Sequence, residues 1–79
     1  MPEEELFKTE ASRSRDEIAD VLINAAEEIK TGTVQLENGG TQDVSIPENP
    51  TFEVELERLT DSETGEQRYE LEYEIRWTE

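Results

Sequence analysis

From Tyr69 to Trp77 the chain reads Tyr-Glu-Leu-Glu-Tyr-Glu-Ile-Arg-Trp, with apolar and polar positions alternating without a break. Successive side chains of a strand point to opposite sides. Tyr69, Leu71, Tyr73, Ile75 and Trp77 therefore share one face, and Glu70, Glu72, Glu74 and Arg76 share the other. The segment from Phe52 has the same period, with Phe52, Val54 and Leu56 set against Glu53, Glu55 and Glu57. Leu59 falls out of phase, which points to a bulge near Arg58. Asp61-Ser-Glu-Thr-Gly65 supplies the turn between the two strands.

A different period runs through the first half. Ile18, Val21, Leu22, Ala25 and Ile29 recur at intervals of three and four, one apolar stripe of a helix, with Ile23 off the stripe. Ser14-Arg-Asp-Glu17 has the form of a capping box, in which the serine accepts an early helix amide and Glu17 reaches back to the cap. Asp16 and Glu17 suit the positive end of the helix dipole, and Lys30 the negative end. The helix is expected to run to about Thr31, with Gly32 as its left-handed stop. Leu6 to Ala11 reads as a short first strand, with Phe7, Thr9 and Ala11 on one side. Two more strands are expected at Thr33 to Glu37 and Asp43 to Ile46.

Register decides how those two are joined. A two-residue Asn38-Gly39 turn would set Val34 across from Asp43, whereas a loop of three or five residues lets Val34 and Leu36 share a face with Val44 and Ile46. Three residues are expected, with Gly40 at positive φ. Pro47-Glu-Asn-Pro50 reads as a rigid, non-helical connection. The architecture this implies is α+β: one antiparallel sheet of about five strands in the order β-α-β-β-β-β, with a single helix packed on its apolar face. The first strand is expected beside the last. Residues 1–79 read as a single domain.

Charge changes the picture more than any motif does. Against 22 acidic residues stand 7 basic ones, a net of −15. A soluble domain of this size ordinarily carries a net charge of magnitude up to about 8. Such a chain repels itself, nucleic acid phosphates and anionic membranes, so neither direct nucleic acid binding nor membrane binding is expected. At about 1 M ionic strength the Debye length falls to ~3 Å and the repulsion is screened. Abundant Glu and scarce Lys thus point to a salt-adapted, halophilic protein. The chain has no cysteine and no histidine, which removes disulfides, thiolate chemistry and the usual neutral-pH proton shuttle. Met-Pro-Glu-Glu-Glu lacks the basic and apolar segments of a signal peptide. A cytoplasmic location and no cofactor are expected.

Three segments together resemble the amphi-Trp domain family, small haloarchaeal proteins named for an amphipathic strand ending in tryptophan. They are Glu-Glu-Leu-Phe at 4–7, the capped helix from Ser14 to Gly32, and Tyr-Glu-Leu-Glu-Tyr-Glu-Ile-Arg-Trp at 69–77. The stretch from Leu59 to Gln67 departs from the family in its length. The resemblance implies a compact domain and no activity.

The candidate interaction face is acidic: Glu53, Glu55, Glu57, Glu70, Glu72, Glu74 and Arg76. Same-face residues lie ~7 Å apart along a strand and neighbouring strands ~4.8 Å apart. A sequence that tolerates such crowding has screening salt, bound cations or a basic partner. Two such rows reach about half the charge density of B-DNA, which admits mimicry of nucleic acid toward a DNA-binding protein. Divalent cation binding is a weaker reading, because Asp61-Ser-Glu-Thr-Gly-Glu66 lacks the ligand spacing of a calcium loop. Catalysis is weaker still, since paired-carboxylate chemistry needs a cleft that raises one pKa. Trp77 is expected to cap the interior rather than bind a ligand. These residues suggest a non-enzymatic protein–protein interaction module, with an unidentified protein or a second copy in a homodimer as partner, and an acidic regulator as the alternative.

Overall fold

Ser14 begins the helix as its spacing predicts. In the computed structural model, which describes residues 2–37 and 40–79, α1 spans Arg15–Thr31. The Ser14 hydroxyl accepts from the Glu17 amide at 3.2 Å, and the Glu17 carboxylate accepts from the Ser14 amide at 3.3 Å. Two orphan donors of the first turn are thereby satisfied. Arg13 lies 3.8 Å from the Glu17 carboxylate, an exposed pair of little energetic weight. At the other end Gly32 adopts φ 91° and donates to the Ile29 carbonyl at 3.0 Å. Its own carbonyl accepts from the Ile46 amide at 2.9 Å, tying the helix stop to the small hairpin that follows.

That hairpin consists of β1 (Thr33–Glu37) and β2 (Thr41–Ser45). The antiparallel register sets Val34 opposite Val44 and Glu37 opposite Thr41, which leaves a loop of three residues. Val34, Leu36, Gln42, Val44 and Ile46 are half-buried and the alternate strand residues exposed, so the face shared by Val34, Leu36, Val44 and Ile46 is the one expected. Asn38 and Gly39 lie outside the described residues. The positive φ expected at Gly40 depends on Gly39 and so falls outside the described residues; Gly32 and Gly65 are at positive φ.

The second hairpin is longer. β3 (Thr51–Thr60) and β4 (Gln67–Arg76) pair along their whole length. The register is uninterrupted, so there is no bulge at Arg58; Leu59 sits on the glutamate face opposite Arg68. Asp61 closes the turn. Its carboxylate accepts from the amides of Glu63 (2.8 Å) and Thr64 (3.1 Å), its carbonyl accepts from Gly65, and its amide donates to the Glu66 carbonyl at 2.8 Å. Gly65 takes φ 77°, the left-handed position that brings the chain back into β4.

Three larger expectations fail as well. The strands form two separate two-stranded sheets, β1-β2 and β3-β4, not one sheet of about five. Pro47 and Pro50 lie in the connection between β2 and β3, where two residues without an amide donor keep that stretch out of either ladder. Leu6 to Ala11 is not a strand. Adjacent Leu6 and Phe7 give it no clean alternation, and no partner strand pairs with it. The described residues fall into two units, Met1–Glu48 and Asn49–Glu79, and the α+β class holds. Finally, the apolar row of the long hairpin is not buried: Leu71 is exposed, and Ile75 and Trp77 are half-buried.

Candidate functional site

The β3-β4 register builds the site. Glu53 faces Glu74, Glu55 faces Glu72, and Glu57 faces Glu70. Three directly opposed carboxylate pairs thus line one face of a single hairpin, as the two alternating segments imply. Like charges opposite one another across a ladder are destabilising. Two arginines relieve part of this. Arg76, at the strand end, donates to Glu74 at 2.9 Å and to Glu53 at 3.1 Å, bridging the outermost pair. Both carboxylates hold its guanidinium pKa above the ordinary value, Glu74 most strongly. Arg68 lies 3.7 Å from Glu70 at the turn end.

The middle of the row has no such relief. A hydrogen bond shared with Glu57 and the charge of Glu57 are the main forces on Glu55; partial burial and the charges of Glu53 and Glu72 add to them. Together they lift the Glu55 carboxyl from an ordinary 4.5 to about 7. Two carboxyls two residues apart can share a hydrogen bond only if one keeps its proton. At the turn the sign reverses. Backbone amides of Glu63 and Thr64 pointing at the Asp61 carboxylate hold its pKa below the ordinary value.

A carboxyl titrating near neutrality has the pKa of a general acid or base. Its surroundings do not match that role, because it stands on an open strand face among its own kind. A shallow depression on the same hairpin is lined by Leu59, Thr60, Asp61, Glu66 and Arg68, and does not include it. Among the described residues no group of three or more acidic side chains is placed to hold a metal ion. The carboxylates stand in parallel rows instead of converging on a point.

The opposite face is where sequence reasoning placed the interior. Phe52 is 61% exposed, Leu56 69%, and Leu71 and Tyr73 58% each. Val54 and Tyr69 are exposed as well. Phe52 and Tyr73 stack diagonally across the ladder, with ring centroids 6.3 Å apart and planes 18° apart. The Tyr69 hydroxyl donates to the Gln67 carboxamide at 3.1 Å. Glu53, Glu55 and Glu70 are, by contrast, half-buried, because long side chains in adjacent rows cover one another. This apolar row was missed as a surface: alternation identifies a face, while burial depends on what covers it. Trp77 follows the last residue of β4, in phase with Ile75.

A family model described as the Amphi-Trp domain matches residues 1–79, and the chain belongs to that family. No curated protein and no solved structure matches it. No helix among the described residues is long and apolar enough to cross a membrane.

Proposed function

With Amphi-Trp membership as the premise, we propose that the chain is a salt-adapted, non-enzymatic protein–protein interaction module of the cytoplasm. The observation that carries this reading is the two-sided β3-β4 hairpin, with an exposed apolar row on one side and three opposed glutamate pairs on the other. An exposed apolar patch rimmed by polar residues is what interaction surfaces present. The glutamates, together with a net charge of −15, keep such a surface soluble where salt is concentrated.

Affinity capture from a high-salt lysate, with mass spectrometry, tests it. The unmodified chain is expected to retain a defined protein, its own kind included, and Leu56→Glu to release it. Retention of nothing, or retention indifferent to Leu56→Glu in a folded chain, overturns the reading.

The opposed glutamate pairs favour a second reading, an acidic regulator that presents Glu53, Glu55, Glu72 and Glu74 to a basic partner such as a DNA-binding protein. Changing those four residues to Gln separates the two. Loss of the partner with the fold intact supports the regulator; an unchanged partner with an altered salt dependence assigns the row to solvation.

A further inference from the structure

Resting on the interaction-module reading, we propose that the occupant of the β3-β4 apolar face is the same face of a second copy of this chain, the two hairpins packing apolar side to apolar side. A two-stranded hairpin is marginal in water unless its apolar face is covered. This one presents Phe52, Val54, Leu56, Tyr69, Leu71 and Tyr73 on one side, each more than half exposed. At roughly 100 Å² apiece they offer about 600 Å² per copy, most of the ~800 Å² per partner that a standard interface buries. Arg58, Thr60 and Gln67 share that face at the turn end, so the patch has a polar margin beside an aromatic centre, as interfaces do.

Charge selects the partner and the geometry. A basic protein is drawn to the glutamate face, on the other side of the hairpin. A second copy carries the same apolar row and satisfies the self-complementarity of a two-fold contact. Packing by faces sends both sets of glutamate pairs to the outer surfaces, with two sheets ~10 Å apart between them. Packing by edges, β4 against β4, would bring Glu70, Glu72 and Glu74 to ~4.8 Å from the backbone of their copies. Repulsion therefore disfavours the edge and leaves the face.

The full chain in about 1 M potassium chloride, where the repulsion is screened, is examined by sedimentation equilibrium and by isotope-filtered NOEs in a mixture of labelled and unlabelled copies. The expected mass is twice 9.1 kDa, with intermolecular NOEs joining Phe52, Leu71 and Tyr73 to the same face of the other copy. Leu56→Glu is expected to weaken the dimer at least roughly tenfold, and Glu55→Gln to leave it intact. A monomer at every concentration, or a dimer whose intermolecular NOEs lie elsewhere, overturns the proposal. Should Leu56→Glu fail to fold, the NOEs of the unmodified chain decide. A monomer that captures a different protein through this face overturns self-association and leaves the interaction-module reading standing; a monomer that captures nothing removes both.

Discussion

Glu55 shows how one residue couples the hairpin to pH. Its carboxyl binds a proton with a pKa of about 7 in the folded hairpin against 4.5 ordinarily. The folded state therefore holds the proton more tightly than the unfolded chain does. The stability this contributes is fully present below pH 4.5 and is lost as pH rises through 7. Urea unfolding at about pH 5 and about pH 8 should show the chain more stable at the lower pH. Glu55→Gln should flatten that difference, and an unchanged slope would remove the shared proton as its cause. At the helix start, Ser14→Ala removes the acceptor for the Glu17 amide and should cost about 1 kcal/mol in thermal or chemical unfolding. At its end, Gly32→Ala places a Cβ at φ 91° and should cost about 1–2 kcal/mol, although no atom crowds the position.

At the scale of elements, α1 and the two hairpins are each closed by local chemistry. The capping box, the left-handed Gly32 stop and the Asp61 turn all act within a few residues, so sequence spacing locates them well. The loop between β1 and β2 was legible for a different reason: only an odd number of residues puts Val34 and Val44 on one face, and three is the shorter choice. The apolar phase at Leu59 points to a bulge only if an apolar side chain must leave the polar face. The ladder runs straight through and leaves Leu59 beside the carboxylates. Asp61→Ala should free the Glu63 and Thr64 amides and loosen the β3-β4 turn. Amide exchange at Leu59 through Arg68 should quicken more than exchange in α1; equal change in both would mean the turn is not a local unit.

For the whole molecule the governing quantity is its net charge of −15. Opposed glutamate pairs repel across the long hairpin, and only the outermost is bridged by a shared arginine. Raising potassium chloride toward about 1 M shortens the screening length to ~3 Å and should deepen the circular dichroism signal and raise the unfolding midpoint. Changing Glu53, Glu55, Glu72 and Glu74 together to Gln should lower the salt needed. Full stability in salt-free buffer would show that the rows are not under electrostatic load.

What the sequence determined by itself is what acts between near neighbours: the helix and both of its caps, the alternation that separates apolar from acidic sides, and the pairing of the two glutamate segments. Sheet membership and burial were decided only in three dimensions. Whether two strands join depends on which strand edges meet, and no spacing along the chain records that. Whether an apolar row is interior depends on what lies against it, and alternation carries no information about that.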